Sequence, residues 1–355
     1  MNKMTLRYGC VGAGGIAKGK HIKGYKGIPG VELVAICDSQ ERLAKEVAEA
    51  EGFKNYYTDY REMLEKENLD FISICTPNVL HRPIAVKALD KGIHVHCEKP
   101  IAMNATEAQQ MVDAKNRSGK KLMIALNNRF TNHAWFIKRY ADEGLFGDIY
   151  HVRCGWKRLR GIPGKGGWFT NKAMSGGGPL IDLGVHFLDL VMYFMGYPNP
   201  ISVTGATYSK FSDNKCVNSS AWSMAGDDEG IMDVEDMAVG FVRLENGTTI
   251  DLEFSWASNI EHNENFYEIR GTKGGAIYRG GELTIITEQI STVVKIKPKL
   301  DFKAPINEFE HFIACIKNNE EPIAKPEEAV KLMKIIDGIY QSSKTNKEVI
   351  LQEGK

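Results

Sequence analysis

Short apolar runs alternate with amphipathic stretches through about the first 125 residues. The apolar runs predict strands, which lie at Leu6–Val11, Glu32–Cys37, Phe71–Cys75, His94–Cys97 and Leu122–Leu126. The stretches between them predict helices, among them Gln40–Glu51, Asp59–Glu67, Leu80–Lys91 and Ala105–Ser118. Runs rich in Val, Ile and Cys suit strands covered on both faces, and their alternation with helices is typical of βαβ units. We therefore predict an α/β domain with a parallel sheet over residues 1–126.

The pattern changes from Ile149 onward, where strand-like segments come as hairpin candidates. The Asn-Gly of Glu245-Asn246-Gly247 separates two such segments, Val239–Leu244 and Thr248–Trp256, and is a strong turn signal. Further strands are predicted at Ile149–Trp156, Ile201–Tyr208, Phe266–Gly271, Gly275–Tyr278, Leu283–Thr287 and Thr292–Ile296. Helices are predicted at about Pro179–Met195, Ile306–Asn318 and Pro326–Ser343. This pattern predicts an α+β domain over residues 127–355, with a large, mostly antiparallel open sheet.

Composition narrows the class of protein. Of the 355 residues, 43% are hydrophobic and 25% charged, which is typical of globular chains, and 45 basic residues balance 45 acidic ones. A chain without excess basic charge is not expected to bind nucleic acid or acidic membranes. No apolar run reaches the length of a membrane span, and no signal peptide is apparent. The seven cysteines show no Cys-x-x-Cys pair, so a cytoplasmic protein with reduced thiols is expected.

A glycine-rich turn follows the first strand and precedes a helix. Residues 12–17, Gly-Ala-Gly-Gly-Ile-Ala, fit the G-x-G-x-x-G/A pattern, with Gly12, Gly14 and Ala17 in the three key positions. The first glycine permits the tight turn, the second lets the backbone approach a pyrophosphate, and the third small residue lets helix and strand pack closely. Together with Gly15 and Ile16, this turn predicts a dinucleotide site in a Rossmann domain.

Asp38 ends the second strand at the distance expected for a carboxylate that binds a ribose diol. The carboxylate would repel the 2′-phosphate of NADP, so NAD is the expected cofactor. Arg42, one helical turn further on, could weaken that preference by attracting a phosphate. The alternative interpretation is a structural glycine turn followed by a solvated aspartate.

Oxidation of an alcohol by NAD requires a base for the hydroxyl proton and polar groups that stabilise the developing alkoxide. Lys99, in the segment His96-Cys97-Glu98-Lys99-Pro100, follows a strand at the edge where open α/β sheets bind ligands. We expect it near the nicotinamide as a proton-relaying or alkoxide-stabilising cation. The alternative is an ordinary surface lysine before a proline turn.

A second polar group lies within the apolar helix predicted from Pro179. Asp182 and His186 are four residues apart and would share one helix face, and Asp189 would continue that stripe. Because most neighbouring positions are apolar, the stripe is costly unless its members pair with each other or with a ligand. Asp182 and His186 are therefore candidate catalytic residues, with a helix-dipole aspartate and a core histidine as the alternative. For Asp189 we expect a structural role.

His94, His96 and Cys97 are candidate metal ligands. The two histidines share a strand face, but no further ligands of convincing spacing follow. No metal is expected.

Several motifs in this order resemble the Gfo/Idh/MocA family, which includes glucose–fructose oxidoreductase and inositol dehydrogenase. They are the glycine turn, Cys75-Thr76-Pro77-Asn78-Val79-Leu80-His81, Glu98-Lys99-Pro100, Asn127-Asn128-Arg129-Phe130 and Gly176-Gly177-Gly178 through His186. The resemblance covers nearly the whole chain. It implies an NAD-dependent dehydrogenase that acts on a hydroxyl-bearing carbon of a sugar, sugar acid or cyclic polyol.

The resemblance also implies roles for particular residues. Lys99, Asp182 and His186 would form the catalytic group, with His186 as the acid/base. The dinucleotide site would be completed by Thr76, Pro77, Asn78, His81, Glu98 and Asn127. Arg158 and Trp168 would shape the substrate pocket, and the open sheet would pair subunits into a homodimer or homotetramer. Two alternatives in the family stay open, an NAD-dependent glycosidase acting by oxidation and elimination, and a sugar-sensing regulator without turnover.

Overall fold

The computed structural model describes residues 5–212, 230–302, 304 and 306–351. The chain forms two compact units. Met1–Ala125 and Pro305–Val330 form the first, and Leu126–Ala304 and Lys331–Lys355 form the second.

The first unit is built on a six-stranded parallel sheet with strand order β3-β2-β1-β4-β5-β6. Its strands are β1 (Leu6–Val11), β2 (Val31–Cys37), β3 (Asn55–Tyr57), β4 (Phe71–Ile74), β5 (His94–Cys97) and β6 (Leu122–Ile124). The connecting helices are α1 (Ile22–Lys26), α2 (Glu41–Glu51), α3 (Tyr60–Lys66), α4 (His81–Asp90) and α5 (Ala105–Ser118). This is the predicted Rossmann architecture, with β3 as one edge strand that the apolar pattern missed.

Local sequence explains where these helices begin and end. The side chains of Asp59 and Asn104 cap α3 and α5 by accepting hydrogen bonds from backbone N–H groups of the first turn. Gly52 and Gly119 end α2 and α5 in the left-handed conformation that glycine adopts without strain.

The second unit carries a nine-stranded sheet with strand order β14-β13-β12-β11-β7-β10-β9-β8-β15. Its strands are β7 (Ile149–Lys157), β8 (Pro200–Tyr208), β9 (Met237–Leu244), β10 (Thr249–Ser255), β11 (Glu264–Gly271), β12 (Gly274–Arg279), β13 (Glu282–Gln289), β14 (Thr292–Ile296) and β15 (Val349–Ile350). All neighbouring pairs are antiparallel except β7 and β10. The predicted hairpin turn joins β9 to β10, with Gly247 at a φ of 83°.

The later helices complete the chain. They are α6 (Asn132–Asp142), α7 (Lys172–Ser175), α8 (Pro179–Asp182), α9 (Gly184–Phe194), α10 (Glu308–Asn318) and α11 (Pro326–Thr345). Helices α8 and α9 pack on the sheet strands β7, β9, β10 and β11. None of the helices in the described ranges is long and apolar enough to cross a membrane.

One expectation is corrected by the structure. The helix predicted over Pro179–Met195 is broken at Leu183 into α8 and α9. The next residue is Gly184, and glycine has a low helix propensity, so continuation through this point is weakly favoured. The division into compact units also differs from the predicted domain boundary for Pro305–Val330, because this segment packs with the first unit. Its Phe309 ring lies where a side chain on Gly24 of α1 would be, 2.4 Å from an added Cβ.

Candidate active site

The glycine turn after β1 has the geometry of a phosphate-binding turn. Gly12 has a φ of 95°, and a Cβ there would lie 2.4 Å from the carbonyl oxygen of Cys75, so only glycine fits. At Gly14 and Gly15, by contrast, nothing lies within 4 Å of an added Cβ among the described residues. The backbone of these two residues is therefore open to close approach by a ligand.

The helix after the turn begins inside the glycine motif. Gly15 and Ile16 are already helical, and a π-helical turn, Ala17–His21, follows them. Ala17 is fully buried, as the third small position of the motif requires. A helix N-terminus at an open glycine backbone suits a pyrophosphate, so the residues present fit an NAD cofactor.

Asp38 joins the end of β2 to the glycine turn. Its Oδ2 accepts a hydrogen bond from the backbone of Ala13 at 2.9 Å, and its Oδ1 accepts one from the backbone of Gln40 at 3.0 Å. Arg42 is 90% exposed and faces Glu46 at 3.7 Å across one turn of α2. The arginine is thus paired with a carboxylate on its own helix.

The Thr76-Pro77-Asn78 segment follows β4 and leads through a short 3-10 helix (Asn78–Leu80) into α4. Thr76 Oγ1 is buried and has no hydrogen-bond partner among the described residues, as expected for a group that awaits a ligand.

His81, predicted to line the dinucleotide site, is enclosed by the backbone that follows β4 and β5. Its ring is fully buried, with Nδ1 2.7 Å from the carbonyl oxygen of Pro100 and Nε2 3.0 Å from that of Thr76. Burial lowers the pKa of His81, against the opposing effect of the two carbonyls. His81 therefore supports the loops that carry Thr76 and Lys99 from below.

Glu98 is likewise turned into the protein. It is 6% exposed, and its Oε1 lies 2.9 Å from His21 Nε2. Its Oε2 accepts a hydrogen bond from the backbone N–H of Lys99 at 3.1 Å. Burial raises the pKa of Glu98, but the hydrogen bond to His21 and the positive charges around it prevail and hold that pKa below its usual range. Glu98 thus supports the backbone of Lys99, which is only half-buried, and its role in lining the cofactor site stays a prediction.

In the second unit, Asp182 is the last residue of α8. Its Oδ2 accepts a hydrogen bond from the indole Nε1 of Trp256 at 3.0 Å. Trp256 is fully buried and follows β10, so its indole holds the Asp182 carboxylate from the side of the sheet.

Arg158, at the end of β7, belongs to the same site. Its guanidinium lies over the ring of Trp156 at 5.0 Å and donates to the carbonyl of Gly161 at 3.0 Å. Burial lowers the pKa of Arg158, and the negative charge of Asp182 opposes that shift. The arginine expected from the resemblance therefore lies within electrostatic reach of Asp182.

His186 lies on α9, whereas Asp182 ends α8, so the two candidate residues are not on one continuous helix. Its ring contacts that of Trp156, with 5.9 Å between the centroids. The ring of Trp156 thus contacts both Arg158 and His186. An aromatic side chain beside a few polar groups is typical of sites that bind small ligands.

The glycines before α8 are explained by packing. An added Cβ would lie 2.1 Å from the Tyr340 hydroxyl at Gly177 and 2.0 Å from the Glu235 carbonyl at Gly178. The Glu235 carboxylate accepts hydrogen bonds from Gly178 N, Leu180 N and the Tyr340 hydroxyl, at 2.9, 3.2 and 2.8 Å. It caps the helix that ends in Asp182. Burial raises the pKa of Glu235, and these donors oppose the shift.

The structural role predicted for Asp189 is confirmed. The carboxylate forms a two-point ion pair with Arg129, through Nε at 2.9 Å and Nη2 at 2.5 Å, and accepts a hydrogen bond from the Tyr197 hydroxyl at 2.5 Å. All of these groups are buried.

Two further predicted residues, Trp168 and Asn127, lie at the starts of short 3-10 helices in the second unit. Trp168 begins a 3-10 helix (Trp168–Thr170) and stacks on Phe169, with 3.8 Å between the ring centroids. Asn127 begins another (Asn127–Phe130). In the described ranges, no group of three or more His, Cys, Asp or Glu side chains could hold a metal ion. His94 Nδ1 instead accepts from Lys121 N, and His96 Nδ1 lies 2.7 Å from the Tyr25 hydroxyl.

Sequence reasoning missed the supporting residues His21, Trp156, Trp256 and Glu235. A buried indole or imidazole leaves no periodic signal, and each of these side chains meets its partner across the fold. The Gly-Gly-Gly run was the one local hint, because it indicated close packing before Asp182.

Two family models cover most of the chain. Residues 6–126 match the Gfo/Idh/MocA model described as an oxidoreductase family with an NAD-binding Rossmann fold. Residues 138–351 match the C-terminal alpha/beta domain of the same oxidoreductase family.

Individual relatives match along nearly the full length. A D-glucoside 3-dehydrogenase of Escherichia coli (strain K12) is 33% identical, over 99% of each chain. An inositol 2-dehydrogenase of Rhizobium meliloti (strain 1021) is 25% identical, over 98% of this chain and 99% of the relative. Among solved structures, a levoglucosan dehydrogenase in complex with NADH and levoglucosan has a TM-score of 0.84 at 23% identity, over 99% of this chain and 100% of the other.

Proposed function

Because the chain belongs to the Gfo/Idh/MocA family of NAD-binding oxidoreductases, we propose that it oxidises a secondary ring hydroxyl of a glycoside or of a related sugar or cyclic polyol. The NAD-binding domain and the oxidoreductase class follow from the family. The substrate is proposed from the relatives, of which the glucoside 3-dehydrogenase matches at 33% identity and full coverage. D-Glucosides are therefore the first substrates to test.

The observation that carries this proposal is the Asp182 site of the second unit. A carboxylate held by the Trp256 indole, an arginine over Trp156 and a histidine against the same ring offer hydrogen bonds and an aromatic face. A sugar ring, with hydroxyls on its edge and C–H groups on its faces, suits such a surface.

For the chemistry we propose the roles implied by the family motifs. His186 takes the hydroxyl proton, and Asp182 orients the hydroxyl and the imidazole. Lys99, whose backbone is held by Glu98, stabilises the developing alkoxide with its ammonium group. When bound, NAD accepts the hydride from the carbon that bears the hydroxyl.

The test is a panel of methyl and aryl D-glucosides, free aldoses, sugar acids and inositols, with NADH formation followed by absorbance. Turnover should appear with at least one ring substrate and should fall by roughly 10²–10⁴-fold in Lys99→Ala and in His186→Ala, while NAD binding stays nearly intact. Absence of NADH formation across the panel, in a protein that binds NAD, would refute the proposed reaction. Cleavage of an aryl glucoside without net NADH formation would favour the glycosidase chemistry instead.

We also propose that two copies of the chain associate through the open face of the nine-stranded sheet. That face carries a groove of about 510 Å³ lined in part by Val239, Phe241 and Phe266. Ion pairs border it, among them Arg153 with Glu268 at 3.4 Å and Lys157 with Glu264 at 3.2 Å. Light scattering should give the mass of a dimer or tetramer, and Phe241→Glu should reduce it to the monomer's.

A cytoplasmic location completes the proposal. The six cysteines in the described ranges are buried free thiols, which suits a reducing compartment.

A further inference from the structure

A cluster of buried ionisable groups lies within the first unit, beneath the glycine turn and the Lys99 loop. It comprises His21, His96, Glu98 and Glu308, each at most 6% exposed. Lys20 contacts it from the rim, with Nζ 2.9 Å from Glu308 Oε2. Buried charges are costly unless they are paired, so the way these groups pair is informative.

His21 stands at the centre of one hydrogen-bonded chain. Its Nδ1 lies 3.1 Å from Ser73 Oγ, and its Nε2 lies 2.9 Å from Glu98 Oε1. The Tyr8 hydroxyl donates to the same Ser73 oxygen at 2.8 Å, which leaves the serine O–H to donate to Nδ1. The tautomer with its proton on Nε2 then satisfies every group, because it donates that proton to Glu98.

This row of hydrogen bonds ends at the backbone of Lys99. Glu98 Oε2 accepts a hydrogen bond from the Lys99 N–H at 3.1 Å. His81 Nδ1 lies 2.7 Å from the carbonyl oxygen of Pro100, the residue that follows Lys99. The peptide that carries the Lys99 side chain is thus fixed on both sides by buried groups.

His21 also links this hydrogen-bonded group to the glycine turn. His21 ends the π-helical turn Ala17–His21, which directly follows the glycine turn. Single π-helical turns are often found at functional sites. One imidazole therefore connects the phosphate-binding helix to the carboxylate that holds Lys99.

The second group of hydrogen-bonded side chains meets the first at the rings of His96 and His21, whose centroids lie 4.9 Å apart. It runs from the Tyr25 hydroxyl to His96 Nδ1 at 2.7 Å, and His96 Nε2 lies 3.4 Å from Glu308 Oε1. It fixes α10 to α1 and β5. Its members have the burial and polarity of the His21 chain, and they provide matched controls.

We propose that His21 is a positioning residue for Lys99, acting through Glu98, and that it couples the phosphate-binding helix to the loop that carries the catalytic lysine. This inference rests on the proposed function as far as Lys99 is catalytic. A merely structural His21 would contribute to folding alone, whereas a positioning residue changes turnover in a protein that is still folded and still binds NAD.

The first test is a double-mutant cycle on kcat. His21→Phe should lower kcat by roughly a hundredfold, as misplacement of a catalytic group does, with a much smaller change in NAD affinity. In Glu98→Gln the hydrogen-bonded connection from His21 to Lys99 is already weakened, so adding His21→Phe should lower kcat little further. The control is Tyr25→Phe, which removes the other buried hydrogen bond, should leave kcat nearly unchanged and should combine additively with Glu98→Gln.

One further variant, together with the double variant of the cycle, keeps the test decisive. His21→Gln retains an N–H donor toward Glu98 and should restore much of the lost kcat. The double variant His21→Phe/Glu98→Gln removes the buried charge together with its partner, and it remains measurable if His21→Phe alone does not fold. Additive losses for His21 and Glu98, or a fall in thermal stability without a fall in kcat, would overturn the proposal.

A spectroscopic test separates this inference from the proposed reaction. In protein labelled with ¹⁵N-lysine, the Lys99 amide resonance, assigned by its loss in Lys99→Arg, should shift and exchange faster in His21→Phe and stay in place in Tyr25→Phe. If the protein oxidises no substrate of the panel, the proposed function fails, but the Lys99 amide resonance still shows whether His21 acts on Lys99. An unchanged Lys99 amide in His21→Phe would refute the coupling whatever the substrate.

Discussion

The indole Nε1 of Trp256 donates a hydrogen bond to Asp182 Oδ2 at 3.0 Å, from a side chain that is fully buried. Trp256→Phe keeps most of the buried ring and removes the donor. Because a hydrogen bond to a charged group contributes about 1.5–3 kcal/mol, we expect kcat to fall roughly ten- to a hundredfold. NAD affinity should not change, since the lost hydrogen bond is to Asp182 and not to the glycine turn that is predicted to bind the dinucleotide.

The matched control is Trp135→Phe. Trp135 lies on α6 and stacks edge-on against Phe302. The Trp135→Phe variant should be less stable than wild type but should have the same kcat, when both are measured well below the melting temperature. Equal kcat in Trp256→Phe and wild type would show that the indole does not orient the carboxylate for the reaction.

The glycine turn offers a comparison of two alanine substitutions. Gly14→Ala places its Cβ in open space, so the protein should fold normally but bind NAD weakly, because the methyl group occupies the path of the pyrophosphate. Gly12→Ala should instead destabilise the protein, because its Cβ would lie 2.4 Å from the Cys75 carbonyl at a φ of 95°. Melting temperatures and calorimetric NAD titrations distinguish the two. A Gly14→Ala variant that binds NAD as wild type does would refute the assignment of this turn.

Asp38 should determine the choice between NAD and NADP. Its carboxylate is placed beside the glycine turn by the Ala13 backbone, and it would repel a 2′-phosphate. Wild type should bind NAD more tightly than NADP, and Asp38→Ser should narrow the difference. Arg42→Ala serves as control and should change neither affinity much, since Arg42 is 90% exposed beside Glu46. Tighter NADP binding by wild type would contradict the prediction.

The buried ion pair of Arg129 and Asp189 should matter for stability rather than for substrate binding. Asp189→Ala leaves the guanidinium without its two-point partner, and breaking a buried pair costs about 3–5 kcal/mol. The double variant Arg129→Met/Asp189→Leu removes both charges and should recover much of that loss. Urea unfolding of the three proteins measures the effect. A small loss in Asp189→Ala would mean that water or a neighbouring group compensates the charge.

His133 should contribute to acid sensitivity. Burial lowers its pKa to about 4, and the ring stacks on Tyr278 with Nδ1 3.2 Å from the Tyr267 hydroxyl. In the unfolded chain a histidine titrates near pH ~6.5, so between about pH 6.5 and pH 4 the unfolded state binds the proton and the folded state does not. Stability is therefore lost as the pH falls through this window, by at most about 3 kcal/mol for this group.

His133→Phe should keep the stacking and reduce this loss. The measurement is the difference in free energy of unfolding between pH 7 and about pH 5 in the variant and in wild type. His151→Phe is the control, because burial also lowers the pKa of His151 but the Asp251 carboxylate, 3.7 Å from its Nε2, opposes that shift. An identical pH dependence in wild type and His133→Phe would show that the ring is protonated in the folded protein.

The sequence by itself determined the elements that depend on local physics. Apolar runs and amphipathic periods placed most strands and helices within a few residues, because a covered strand or helix face needs that pattern along the chain. The turns at Gly12 and Gly247 were read from glycine because their positive φ angles disfavour other residues. The family motifs identified the dinucleotide turn and the oxidoreductase class because each motif is a contiguous run of residues.

Tertiary structure alone decided which side chains meet. His21 reaches Glu98 across 77 positions of the sequence, and Asp182 meets Trp256 across 74. The break at Leu183 separates Asp182 and His186 onto two helices, and residues 305–330 return to the first unit to bring Glu308 beneath the phosphate-binding helix. Such contacts depend on how sheets and helices pack, and packing is set by the sum of many distant apolar contacts rather than by any local run of residues. Catalytic residues could therefore be proposed from contiguous motifs, whereas the buried groups that orient them became visible only in the folded chain.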